Sequence, residues 1–149
     1  MSEASLTVLV VNVGSSTVKL DVVSIGRTPA GTDGETTNDG QRLAGDVVDG
    51  PLEPEDLERF LDDAPAIDVV GHRVVHGGPQ RSGPVLITEE VLADLEEVSV
   101  LAPLHNPPAL RAIEVVRRSR PDVPAVACFD TTFHTTIPRE AATYAVPAE

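Results

Sequence analysis

The chain opens with an almost unbroken apolar, β-branched run from Leu6 to Val13, "LTVLVVNV", and resumes after Gly14-Ser15-Ser16 as "TVKLDVVSI", where apolar and polar positions alternate. This spacing predicts a buried strand over Leu6–Val13, a second strand over Thr17–Ile25 and a tight turn between them, a β-hairpin. From Gly26 to Gly50 the pattern dissolves into Gly, Thr, Asp and Asn, which predicts a long polar loop with one strand over Gln41–Val48. A surface insertion suits that loop better than a lid. "PEDLERFLDDAP" sets Leu57, Phe60 and Leu61 at helical spacing behind a first-turn proline, so a short helix follows. "IDVVGHRVVHGG" reads as a strand that ends in glycines. "ITEEVLADLEEVSVLAP" reads as a helix capped by Thr88, with Glu89 and Glu90 in its positive first turn. In "HNPPALRAIEVVRRSRP" Asn106 is expected to cap a helix that starts at Pro107. Leu110, Ile113 and Val116 form its apolar stripe, and Arg117, Arg118 and Arg120 complement its C-terminal end. "VPAVACFDTTFH" is a last apolar strand that stops at Asp130. A hairpin followed by alternating helix and strand, with no internal repeat, predicts one α/β domain with a mixed sheet.

Composition narrows what such a domain can bind. The 149 residues suffice for one core, and with aromatic residues at 3% that core must be built from Val, Leu, Ile and Ala. A formal charge of −13 argues against nucleic acid and anionic membrane as partners, since both are repelled by such a surface. No stretch approaches the ~20 apolar residues of a membrane span, and the acidic start "MSEASLTVLVV" lacks the basic opening of a secretory signal. The single cysteine, Cys128, excludes an internal disulfide and fits a reducing cytoplasm. An anionic small ligand remains open, provided donors are concentrated locally, so each placed cation carries information.

Four stretches could carry chemistry. The turn "NVGSSTVK" offers Asn12, the hydroxyls of Ser15, Ser16 and Thr17, free backbone N–H groups and Lys19, the only lysine in the chain. Thr17 and Lys19 leave an extended strand from the same face and could meet one phosphate. On turn chemistry alone an ordinary hairpin using Gly and Ser for its bend is the favoured reading of these residues; neither a Walker A loop nor G-x-G-x-x-G occurs. In "VGHRVVHGG", His72 and His76 lack the helix and glutamate of a zinc protease motif. Strand alternation puts His72, Val74 and His76 on one face and Arg73 with Val75 on the other, suited to a small carboxylate with an apolar tail. An arginine at a sheet rim paired with an acid is the alternative. His105 precedes a helix N-terminus, where an anion is welcome or where a histidine simply contacts solvent. Asp130 ends a strand of an α/β sheet, either as a metal ligand or base, or as a cap. His134 reads as structural.

Together, "VLVVNVGSSTVKL", "VGHRVVHGG", "LAPLHNPPAL" and "FDTTFHTTIPREAATYAVP" resemble the acetate kinase family of the acetate and sugar kinase/heat-shock chaperone/actin superfamily, in the family's order and spacing. The resemblance implies a ribonuclease H-like α/β domain, a mixed sheet led by the hairpin, and the reversible reaction of ATP and acetate to ADP and acetyl phosphate with Mg²⁺. Carried over by position, Asn12 would help hold the metal and Lys19 would contact ATP phosphate beside Ser15, Ser16 and Thr17; Thr17 replaces a serine usual in the family. Arg73 would bind the acetate carboxylate or the phosphoryl group, Val75 and Leu104 would line the methyl pocket, and His105 would donate to phosphoryl oxygens. Asp130 is the family's active-site carboxylate. Because acetate is already a competent nucleophile, alignment and charge neutralisation are the main tasks, so Asp130 is cast as a metal-orienting group rather than a proton acceptor.

The same resemblance sets an expectation about extent. The family's enzyme has two domains, and its H-G-T-S-H stretch, later arginine and adenosine-binding domain have no counterpart within these 149 residues. The chain is therefore expected to be an amino-terminal acetokinase domain with at most trace activity alone. A propionate or butyrate kinase portion and a non-catalytic phosphate- or carboxylate-binding module are the alternatives. The family also implies a homodimer.

Overall fold

In a computed structural model describing residues 5–26, 40–132 and 137–138, the apolar runs become the interior of one six-stranded sheet. The strands are β1 (Ser5–Val13), β2 (Thr17–Gly26), β3 (Gly40–Asp49), β4 (Val69–Val74), β5 (Val85–Leu86) and β6 (Ala125–Phe129). Three helices join them, α1 (Pro54–Leu61), α2 (Glu89–Glu97) and α3 (Asn106–Ser119). Short 3-10 turns follow α2 at Val98–Leu101 and β6 at Asp130–Thr132. The spatial order is β3-β2-β1-β4-β6-β5. β1, β2 and β3 form an antiparallel meander, β1, β4 and β6 run parallel, and β5 returns antiparallel on the edge. This is the mixed α/β sheet expected from the pattern.

Alternation along each strand sorts the two faces. Leu9 and Val11 of β1, Val18, Leu20 and Val22 of β2, Val70, His72 and Val74 of β4 and Ala127 of β6 are buried. All but His72 join one apolar cluster with Leu57 of α1, Leu95 of α2 and Ala109, Ala112, Ile113 and Val116 of α3. Each fully buried Leu or Ile there contributes about 1.5–3 kcal/mol relative to exposure. The residues between them, Asn12, Lys19 and Arg73 among them, face the other way and keep contact with solvent.

Local signals placed most elements. Thr88 caps α2, its hydroxyl accepting from the Val91 N–H at 3.2 Å. Pro54 fills the first turn of α1. The end of α3 is tied to α1, where Arg120 donates to both carboxylate oxygens of Glu58 at 2.7 and 2.9 Å; that guanidinium holds the Glu58 carboxyl below its usual range.

Two expectations are corrected. α3 begins one residue early: His105 occupies the cap position without a side-chain cap bond, and Asn106 is a fully buried helical residue. Its carboxamide finds better partners in the interior than at the helix end. β4 stops at Val74, so Val75 and His76 do not continue the strand's alternation. The strand within the Gly26–Gly50 loop is present as β3, while residues 27–39 and His134 lie outside the described residues.

Candidate functional site at the strand ends

Parallel strands β1, β4 and β6 deliver their carboxyl ends to one edge of the sheet, where α/β folds assemble ligand sites. Asn12 of β1 lies in register with Arg73 of β4, and Asp130 is the first residue after β6. The Arg73 guanidinium draws the three together. Its Nε donates to Asp130 Oδ1 and Oδ2 at 2.9 and 3.1 Å, and its Nη2 donates to Oδ2 at 2.6 Å. Nη1 donates to Asn12 Oδ1 at 3.2 Å and to the Val13 carbonyl at 3.3 Å. Such a fork-to-carboxylate pair fixes direction as well as charge. The Asp130 carboxylate holds the Arg73 guanidinium above its ordinary pKa. Both side chains keep about two-fifths of their surface, 39% and 41%, so the pair is open to a ligand.

Lys19 lies directly across from Asn12 in the β1–β2 pairing. Residues opposite each other share a face, so Lys19, Asn12 and Arg73 form a row across three strands. At the usual interstrand spacing that row spans about 10 Å, within reach of one phosphoryl chain. Buried Val18 separates Thr17 from Lys19 and puts both on the same side, as expected. The two serines part company with them. Ser15 and Ser16 line a cavity of about 390 Å³ with Leu52, Ala112, Arg111 and Arg118 of the helical layer, and Lys19 is not in its wall. The bend itself is closed by the Gly14 N–H donating to the Thr17 carbonyl at 2.8 Å.

The remaining candidates gather around the loop after β4. Val75 is half-buried, while Leu104, 79% exposed, and His105 sit on the surface at the start of α3. Leu104 thus offers an open apolar wall. The loop is tightly held: Arg81 donates to the Gly77 carbonyl at 3.1 Å and to Asp94 of α2 at 2.7 Å, and the Gly78 N–H donates to His76 Nδ1 at 2.9 Å. Both glycines are required. A Cβ on Gly77 would stand 2.6 Å from the Phe129 ring, and Gly78 has φ +81° with Val98 against it. Gly77→Ala is expected to lose about 1–3 kcal/mol of stability by forcing that ring aside; urea unfolding measures it.

Sequence reasoning missed Arg81 and Thr131, whose hydroxyl lies 3.5 Å from the Gly77 N–H, and took Asn106 for a helix cap rather than a buried partner of His76. Asn106 and Thr131 stand inside the matching stretches, yet nothing in their residue types announces contacts so far along the chain. His72 lies on the helix-facing side, and its Nε2 has no partner among the described residues. Burial lowers its pKa to about 4. Cys128, beside Arg73 in register, has its thiol pushed up by burial, which disfavours a nucleophilic thiolate. Among the described residues no three His, Cys, Asp or Glu side chains cluster as a metal site, and no helix is long and apolar enough to cross a membrane.

An acetate kinase of Thermosipho africanus is 39% identical over 169 aligned residues, covering 97% of this chain and 41% of the relative. One from Streptomyces griseus is 52% identical over 87 residues, 58% of this chain and 21% of the relative. Among solved structures, the acetate kinase of Porphyromonas gingivalis superposes with TM-score 0.66 at 30% identity, over 96% of this chain and 42% of that one. A propionate kinase from Francisella tularensis gives 0.67 at 32%, over 95% and 41%. This chain therefore spans about two-fifths of the length of such relatives. The sheet order and hairpin are those of the actin-like, ribonuclease H-like fold that these kinases share. The acetokinase family model matches residues 52–149, which carry Arg73, His105 and Asp130, and with that match the chain belongs to the acetokinase family.

Proposed function

We propose that these residues form the acyl- and phosphoryl-binding wall of a kinase that transfers the terminal phosphoryl group of ATP to acetate, giving acetyl phosphate. The observation that carries the reading is the joining of Asn12, Arg73 and Asp130 at three adjacent parallel strand ends in an acetokinase-family chain. In the forward direction an acetate oxygen forms a bond to phosphorus as the bond to the ADP oxygen breaks, with no net proton transfer. Catalysis is then positioning and charge neutralisation. Arg73, held by Asp130, presents its fork edge-on; at least one Nη2 N–H has no partner among the described residues and can meet a carboxylate or phosphoryl oxygen. Lys19 contributes a point charge to the donor phosphates, His105 a further hydrogen-bond donor, and Val75 and Leu104 the apolar contact for the methyl group. Ser15 and Ser16 also border the cavity beneath the bend, and Thr17 shares the face of Lys19, so Thr17 and Lys19 carry the phosphate-facing role together with the turn.

The oxygen set fits Mg²⁺ in a limited way. Asn12 Oδ1 and one Asp130 carboxylate are hard donors, and both already accept from Arg73, as suits an ion held chiefly by phosphates and water. When bound, the ion neutralises phosphate charge; Asn12 and Asp130 would hold it. The reading places the protein in the cytoplasm, as part of a two-domain, homodimeric enzyme whose nucleotide-binding half is not among these residues.

The solved propionate kinase and the open Leu104 wall support a second reading, a longer acyl acceptor. One methylene discriminates only about 10–200-fold, so both acids are tested. In solution the 149-residue chain is expected to show acetyl phosphate-dependent NMR shifts at Lys19, Arg73 and Val75, with larger effects from acetate than from propionate. Its acetyl phosphate production from ATP and acetate is expected to be at most a trace. Turnover near the ~10 s⁻¹ of ordinary enzymes would refute the division of labour. Shifts with phosphate but with neither acid would favour a non-catalytic anion-binding module.

A further inference from the structure

In the interior beside the site, one side chain pairs with both backbone groups of a residue 30 positions away. The His76 N–H donates to Asn106 Oδ1 at 3.2 Å, and Asn106 Nδ2 donates to the His76 carbonyl at 2.9 Å. Asn106 has no accessible surface. The carboxamide supplies the donor–acceptor pair that a neighbouring strand would otherwise give, at the point where β4 has ended and its backbone groups need partners. Helix capping does not account for it, because the cap position of α3 belongs to His105.

Its neighbours give the pairing its meaning. Val75 immediately precedes His76, and Leu104 and His105 immediately precede Asn106. We propose that Asn106 is a positioning residue for the acyl end of the site, fixing the segment that carries Val75 against the segment that carries Leu104 and His105. This rests on reading those three residues as acyl and phosphoryl contacts. Other ties on the loop run elsewhere: Arg81 leads from Gly77 to α2, and Thr131 approaches Gly77 from the end of β6. Through Asn106 the loop is tied to the start of α3, the element whose cap residue, His105, is the proposed hydrogen-bond donor to phosphoryl oxygens. At neutral pH a carboxamide of this size both accepts from the N–H and donates to the carbonyl. Aspartate keeps the volume and the first bond, but when ionised sets an anion against the His76 carbonyl.

The test uses the 149-residue chain and its Asn106→Ala and Asn106→Asp variants, followed by NMR. In Asn106→Ala, amide exchange at His76 is expected to quicken at least tenfold beyond any change shared by Leu9 and Val11. Acetate binding, read at the Val75 and Leu104 methyls, is expected to weaken at least tenfold, while inorganic phosphate, held by Lys19 and Arg73 besides His105, is expected to weaken at most about threefold. Asn106→Asp is expected to match the alanine variant at pH 8 and to recover as the pH is lowered and its acid form donates to His76. That variant also decides the matter if the alanine chain does not fold. Unchanged His76 exchange, equal weakening toward acetate and phosphate, or an aspartate variant without pH-dependent recovery would each overturn the proposal. A wild-type chain that leaves Val75 and Leu104 unmoved by acetate refutes the acyl reading instead, and the exchange and pH arms still decide whether Asn106 fixes the two segments.

Discussion

Acidification from pH 7 to pH 4 is expected to cost the wild-type chain about 3 kcal/mol more stability than a His72→Leu variant. His72 is a buried side chain on the central strand β4, flanked in register by Val11 and Ala127, and its Nε2 has no hydrogen-bond partner among the described residues. Burial favours the neutral ring and lowers its pKa from 6.5 to about 4. The unfolded chain therefore takes up a proton near 6.5 that the folded chain refuses until about 4. Stability from this group is complete above 6.5 and drains away through that window, at roughly 1.4 kcal/mol per pH unit. Carboxylate titration is common to both proteins and cancels in the comparison. Leucine removes the orphaned polar atom at similar volume, so the variant is also expected to be no less stable than wild type at pH 7. Urea unfolding of both chains across the pH range measures the difference; parallel curves would show that His72 is not the group responsible.

The second large effect concerns Arg73. In a catalytically competent polypeptide carrying these residues, Arg73→Ala is expected to lower kcat about 10²–10³-fold, the usual loss when a preorganised donor to developing charge is removed. Arg73→Lys is expected to recover little, because an ammonium cannot hold the Asp130 carboxylate through two nitrogens while also reaching Asn12 and the Val13 carbonyl. Asp130→Asn keeps the shape and loses the charge-assisted pair. It is expected to lower kcat about tenfold or more and to alter the response to Mg²⁺. Steady-state kinetics with acetate and Mg²⁺ varied separately distinguishes the cases. An Asn variant with normal rate and metal response would mean that Asp130 neither aims the arginine nor attends the ion.

Much of this arrangement was legible along the chain because its signals are local. Apolar runs marked β1, β4 and β6 and alternation marked β2, while Thr88 and Pro54 marked helix starts by satisfying or lacking backbone donors. β5 was not legible, since two residues carry no period. For Arg73, residue type left two readings open, a ligand-binding arginine or a rim arginine paired with an acid. The structure supplies the acid, and it is Asp130, 57 residues away. The readings converge because the parallel pairing of β4 with β6 sets both groups at one edge, and that register comes from helix packing rather than local pattern. Asn106 was misread for a related reason. Its propensity to cap a helix competes with a tertiary demand, the open backbone groups of His76, that exists only once α3 lies beside the end of β4.

The strand order also bears on assembly. The β1–β2–β3 meander is built from neighbours in the chain, so its loops close cheaply and it can form while later residues are still emerging from the ribosome. β4 must cross back to β1 over a helix, and β6 waits for two more helices before it reaches β4. The hairpin lysine thus belongs to the part of the sheet built from chain neighbours, whereas the carboxylate that steadies Arg73 arrives with the last of the six strands.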